Sequence, residues 1–133
     1  MDTIALVRAF IAKECDYDGA LSLDDDVFYR LGITGDDSDD FLESFAKTFD
    51  IDTSGYLWYF HSEEEGFSVV PFKPPNQLVD RIPITIQVLA ESVEAKVWTV
   101  VYPDHDMPAS RLDVAFHWFF FVVLISLVIY LVL

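Results

Sequence analysis

Five carboxylates crowd one short stretch: Asp36, Asp37, Asp39, Asp40 and Glu43. Acids at that density satisfy the unpaired N–H groups and positive dipole of a starting helix, or they offer a negative face to a basic protein. Ser38 stands among them, a hydroxyl that a modifying enzyme would have to accept in the frame Asp37-Ser38-Asp39. Downstream, Asp50, Asp52 and Ser54 place oxygens at alternate positions ahead of Gly55, the opening of a calcium-binding pattern. The twelfth position of that pattern needs a bidentate Glu; here it is His61, and Glu63 falls two residues late. His61, His105 and His117 share no metal-ligand spacing. There is no nucleophile elbow, glycine-rich phosphate loop or zinc motif on a helix. These residues point to binding rather than catalysis, with no cofactor.

The acids need an element to hold them. Behind them Phe41, Leu42, Phe45 and Phe49 step by three and four, which predicts a helix with one aromatic face. A Leu31-Gly32-Ile33 turn leads into it, and Thr34 or Asp36 is placed to cap it. Upstream, Asp2 or Thr3 caps a first helix. Ile4, Val7 and Ile11 form its apolar face, Leu6 and Phe10 widen it, and it ends near Cys15. Tyr17 to Gly19 reads as a turn and Leu21 to Asp26 as an acidic loop. Asp24 or Asp25 starts a short helical turn that packs Val27, Phe28 and Leu31 inward.

Beyond the acidic helix the aromatic run Tyr56–Phe60 reads as a strand or extended packing segment. An acidic turn over His61–Gly66 and a second short strand over Phe67–Phe72 follow. Pro71, Pro74 and Pro75 force an extended loop through Gln77. Thr85 caps a further helix carrying Ile86, Leu89, Val93 and Val97, and Val97–Tyr102 reads as another short strand. The expected layout is an acidic domain over 1–102, a polar linker over 103–113 and an apolar helix over 114–133.

Composition fits that layout. The 133 residues carry a net charge of −15, and residues 1–70 hold 17 of the 23 Asp and Glu but 4 of the 8 Lys and Arg. So acidic a surface argues against nucleic acid and anionic lipid headgroups and suits a basic protein partner. The single Cys15 excludes an internal disulfide. Val114 to Leu133 bears no charged side chain, and twenty helical residues span about 30 Å, the thickness of a hydrocarbon core. Trp118 and Tyr130 suit the two interfaces. The expected topology is a single-pass, tail-anchored protein of the inner (cytoplasmic) membrane with its N-terminal domain cytosolic.

The acidic helix also carries a family resemblance. Acyl carrier proteins enter such a helix through a Leu-Gly turn and an Asp-Ser-Leu motif and leave it through Phe and an acid. Leu31-Gly32 and Phe49-Asp50 fit the two ends. The modified serine's position is taken by Gly35, between Thr34 and Asp36, so no phosphopantetheine can attach there. Together with Ser54-Gly55-Tyr56 and the stretch from Pro83-Ile84-Thr85 to Trp98, this resembles a bacterial family of atypical acyl-carrier-like proteins, domain of unknown function fourteen ninety-three, over roughly residues 1–100. The resemblance implies an acyl-carrier-like domain and is almost silent on function. Joined to the reading of the residues, the expected fold is mainly α with minor β content, followed by the transmembrane helix, and the expected function is a membrane-tethered interaction module without prosthetic group, docking a basic, membrane-associated partner through Asp36, Asp37, Asp39, Asp40 and Glu43. Two alternatives stand beside it: a true acyl carrier modified at Ser38, and an EF-hand-like calcium-binding protein using Asp50, Asp52 and Ser54.

Overall fold

The computed structural model describes residues 2–64 and 72–133. Among the described residues five helices follow in order: α1 (Thr3–Glu14), α2 (Val27–Leu31), α3 (Gly35–Phe49), α4 (Ile86–Ala95) and α5 (Leu112–Val132). Two 3-10 turns, Trp58–Phe60 and Pro75–Gln77, lie between α3 and α4. The Asp2 carboxylate accepts the Ile4 N–H and starts α1, which buries Val7, Phe10 and Ile11, packs chiefly on α4, and is capped at Cys15. Leu6 stays 38% exposed, so the apolar face of α1 is narrower than its spacing implies. The Arg8 guanidinium donates to the Leu21 carbonyl at 2.6 Å and holds the following loop against α1.

Asp26, not Asp24 or Asp25, caps α2 by accepting the Tyr29 N–H. Asp25 is committed elsewhere, accepting the Ser22 N–H at 2.9 Å in the preceding turn. Val27 and Phe28 are buried, and Leu31 is partly so. At the end of α2, Gly32 takes φ +64 while Ile33 N–H bonds the Phe28 carbonyl and Gly32 N–H the Tyr29 carbonyl. That is the usual close of a helix on a left-handed glycine, and it explains the Leu-Gly-Ile turn.

Thr34 is the N-cap residue of α3 and Gly35, at φ +52, its first residue. Phe41, Leu42 and Phe45 face inward as their spacing requires. The far ends of α3 and α4 are lashed together. Both C-caps, Asp50 (φ +56) and Lys96 (φ +59), are left-handed, and the Lys96 ammonium donates to the Phe49 carbonyl at 2.6 Å. Asp52 N–H bonds the Lys96 carbonyl and Trp98 N–H the Asp52 carbonyl, giving an isolated parallel bridge between Asp52 and Val97.

That bridge replaces the expected β content, for no strand occurs among the described residues. Leu57 is extended, but Trp58–Phe60 is not. Phe60 N–H bonds back to the Leu57 carbonyl and His61 N–H to that of Trp58, closing a 3-10 turn. An aromatic run favours strands through neighbours on a pleated surface, and here the rings find theirs without a sheet. The expected strand over Val97–Tyr102 reduces to its first residue, and Val97 lies past the left-handed end of α4 and is 44% exposed. Thr85 caps α4 through the Val88 N–H as expected. The proline-rich loop contains a 3-10 turn begun by Pro75, whose missing N–H costs nothing at a helix start. Residues 65–71, with most of the expected second strand and part of the acidic turn, lie outside the described residues.

α5 begins at Leu112, two residues earlier than charge alone suggests, because Arg111 closes on Asp113 at 2.9 and 2.7 Å across its first turn. The helix has a mean hydropathy of 2.4 and none of its most apolar window is buried. Among the described residues Phe72 meets its first turns at Phe116, and the rest of the helix, apolar on every side and exposed, is long and apolar enough to cross a bilayer.

Candidate functional site

The five acids all stand on the solvent side of α3. Asp36, Asp37, Asp39, Asp40 and Glu43 are exposed, while Ser38, Phe41, Leu42 and Phe45 between them are buried. The 3.6-residue period makes this division: each inward residue falls between outward ones. The acids border three open grooves, of which Asp36 and Asp39 line one of about 450 Å³ beside Trp58 and Ser62. Asp37 and Asp40 line a second of about 580 Å³ beside Arg30 and Gly32. Asp39 and Glu43 line the third, of about 560 Å³, whose apolar lining includes Leu42, Ile51, Tyr56 and Trp58. Glu43 is paired with Lys47 at 2.8 Å, and that hydrogen bond, with the Lys47 charge, holds its carboxyl below the usual range. The face is thus a band of carboxylates with apolar floor nearby, able to bind cationic groups, and the free Cys15 lines the groove beside Asp37 and Asp40.

Ser38 does not belong to that face. It is 2% exposed, and its hydroxyl donates to the Gly35 carbonyl at 2.6 Å and accepts from the Ser62 hydroxyl at 3.0 Å. The residue also lines the groove of about 450 Å³ with Gly35, Asp36, Asp39 and Ser62. Gly35 N–H donates to the Glu63 carbonyl at 2.9 Å, which ties the helix entrance to the chain beyond the 3-10 turn. At its positive φ a serine would be strained.

The residues of the calcium-like pattern take part in local backbone structure. Asp50 is the left-handed cap of α3. The Asp52 carboxylate accepts the Ser54 N–H at 2.9 Å, which lowers its pKa. The twelfth position, His61, is fully buried. Among the described residues no group of three His, Cys, Asp or Glu is placed to hold a metal ion.

His61 leads to what sequence reasoning missed. Its Nδ1 lies 2.8 Å from the Ile82 carbonyl, so that nitrogen carries the proton and donates. Its Nε2 then accepts from the Tyr102 hydroxyl at 2.7 Å. The same phenolic oxygen accepts the Leu57 N–H at 3.1 Å and the Trp98 indole N–H at 2.9 Å. Tyr56 stacks on the imidazole, with ring centroids 5.3 Å apart, and Trp98 meets both rings edge-on. Burial, set partly against the bond to Ile82, pushes the His61 pKa down, and burial pushes Tyr56 and Tyr102 up. A second pair repeats the idea: the Tyr59 hydroxyl bonds His105 Nε2 at 2.8 Å, and His105 Nδ1 bonds the Pro103 carbonyl. Four of these bonds join residues 21 to 46 positions apart. A density of Tyr, Trp and His was the one signal in the sequence, and it named no pairing. With both His61 nitrogens bonded, the knot ties Leu57, Ile82, Trp98 and Tyr102 to one another.

Residues 2–102 match the model of the family described as protein of unknown function (DUF1493), and the chain belongs to that family. No curated protein and no solved structure matches it.

Proposed function

We propose that this member of the family is an acyl-carrier-like interaction module without prosthetic group, held at a membrane by α5, which docks a basic protein partner through the acidic face of α3. The observation that carries the reading is the segregation on α3: five exposed carboxylates outside, a buried phenylalanine face inside. Support for the acyl-carrier-like part comes from the element order. A first helix, a long loop ending in the short α2, and a central acidic helix entered through glycines follow one another as in the carrier proteins, and the last helix of the domain comes after a longer connection that holds two 3-10 turns. Gly35 at the serine position and the enclosed Ser38 favour a module that binds without carrying. α5 supports the tether, and a tether raises the concentration of the module near membrane-bound partners. The unpaired Cys15 favours the cytosolic side.

Crosslinking and pull-down from native membranes tests the docking. Asp40→Lys with Glu43→Lys should abolish capture of a partner that wild type captures at low salt, since like charges facing across an interface cost several kcal/mol. Unchanged capture defeats the reading. Intact mass tests the missing prosthetic group: a gain of one phosphopantetheine, lost in Ser38→Ala, would restore the carrier alternative. Carbonate extraction tests the tether. The full chain should stay with the membrane fraction and a 1–110 fragment should not.

A further inference from the structure

We propose that a cleft at the foot of α5 holds a glycerophospholipid taken from the bilayer that this helix enters. The cleft has a volume of about 410 Å³, and Trp58, Phe72, Leu78, Met107 and Leu112 make its lining mainly apolar. That is within the usual size of a small-molecule site, roughly 300–1,000 Å³. Its position decides the occupant. Leu112 and Asp113 are the first residues of α5, and Phe72 meets Phe116 one turn further along at 5.3 Å. The mouth therefore lies where the apolar span begins, at the depth of lipid headgroups. Trp58 and Tyr59 in the lining are side chains suited to that depth.

Charge complements the geometry. Lys73 and Arg111 line the cleft in a molecule of net charge −15. Arg111 is held by Glu64 and Asp113, whereas Lys73 is exposed and has no ion-pair partner among the described residues. An unpaired ammonium beside an apolar trough suits a phosphodiester with an acyl chain laid along Phe72, Met107 and Leu112. The acidic remainder of the domain repels such headgroups, so binding is confined to this corner. The inference rests on α5 lying in a membrane.

The test reconstitutes the full chain into phosphatidylcholine vesicles doped with phosphatidylglycerol that carries a photoactivatable group in its acyl chain. Adducts are mapped by mass spectrometry and insertion is checked by flotation. Adducts are expected on the peptides bearing Trp58 or Met107 as well as on α5. Leu78→Glu with Met107→Glu should cut the cleft adducts about ten-fold, because charges in an apolar trough repel the chain, while those on α5 stay unchanged. Lys73→Ala should weaken cleft labelling by the anionic probe and leave the thermal midpoint unaltered. A floating protein labelled on α5 alone, or cleft labelling indifferent to all three substitutions, overturns the lipid site and leaves the tether standing. A protein that neither floats nor labels overturns both.

Discussion

Phe10, Phe28, Phe41, Phe45 and Phe49 meet between α1, α2 and α3, Phe10 approaching three of the others at 5.4–5.6 Å, nearly all edge to face. Tyr56, His61, Trp98 and Tyr102 gather on the other side of the domain around one phenolic oxygen. Both clusters are aromatic and enclosed, yet they cohere differently. The phenylalanine cluster gains from area removed from water, a sum of many small contacts that degrades in proportion to what is removed. The hydrogen-bonded cluster depends on one atom. Taking away the Tyr102 hydroxyl leaves two N–H donors and an imidazole nitrogen unanswered at once. The first cluster fixes helices against each other, and the second fixes the chain outside the helices, joining Leu57, Ile82 and Trp98.

The largest break in this comparison should come from Phe45→Ala. The ring is fully enclosed and meets Phe10, Phe41 and Phe49. Its loss should destabilise the domain by about 3–5 kcal/mol in chemical denaturation. A cost below about 1 kcal/mol would mean that the phenylalanine cluster does not hold the helices.

Tyr102→Phe comes next. It keeps the ring against Phe60 at 4.9 Å and removes one oxygen. Buried polar groups left unpaired cost about 1–3 kcal/mol each and do not add fully, so about 2–4 kcal/mol is expected. Tyr17→Phe is the control. That hydroxyl makes only a long, exposed bond of 3.5 Å, and its removal should stay within about 0.5 kcal/mol. Equal effects from the two substitutions would erase the distinction between the clusters.

The two clusters also differ in how far they can be read from sequence, for the same physical reason. Phe41, Leu42 and Phe45 announce a buried helical face because spacing alone decides which side faces inward. The caps at Asp2 and Thr85 are local in the same way: a side chain answers an N–H two or three residues on. Where a pattern runs past its element, spacing misleads. Val97 continues the rhythm of Ile86, Leu89 and Val93, yet the backbone has already turned left-handed at Lys96 to bond Phe49. Tyr56–Phe60 has strand composition, yet Trp58–Phe60 forms a 3-10 turn, because the partners of this run come from the far end of the domain. The acidic residues of the candidate site were legible as a set. The inward aim of Ser38 also follows from spacing, since it stands three, four and seven residues before Phe41, Leu42 and Phe45, but its bond to Ser62 from beyond the turn does not.

A titration sharpens the contrast further. Burial lowers the His61 pKa from 6.5, opposed by its bond to Ile82 and by Asp26 and assisted by Arg81. A histidine with a depressed folded pKa contributes stability that is fully present above its unfolded pKa. That stability is lost progressively as pH falls from about 6.5 toward the folded value. Protonation would also point Nε2–H at a Tyr102 oxygen already accepting two bonds. The domain should therefore weaken below about pH 6.5, before the lowered carboxyls of Asp25, Glu43 and Asp52 begin to lose their own contributions near and below the usual carboxylate range. His61→Gln should be less stable at neutral pH and should flatten the upper part of that slope. A slope unchanged by the substitution would assign it to other groups.

The smallest effect on stability should come from the residues proposed to matter most for binding. Asp40→Lys with Glu43→Lys touches neither cluster. Both acids are exposed, and the partner of Glu43 is a lysine whose side chain is 75% accessible, so solvent screens the pair that is broken. Reversing two charges inside a crowd of like charges relieves repulsion from Asp36, Asp37 and Asp39 as it removes that pair, and the two changes oppose each other. The thermal midpoint should stay where it is, and circular dichroism should show α3 intact. Partner capture at low salt should fall sharply in the same preparation. A variant that unfolds would show that the carboxylate band is structural after all. Its charges would then belong to the helix entrance rather than to a partner, and the two clusters would no longer account for what holds α3 in place.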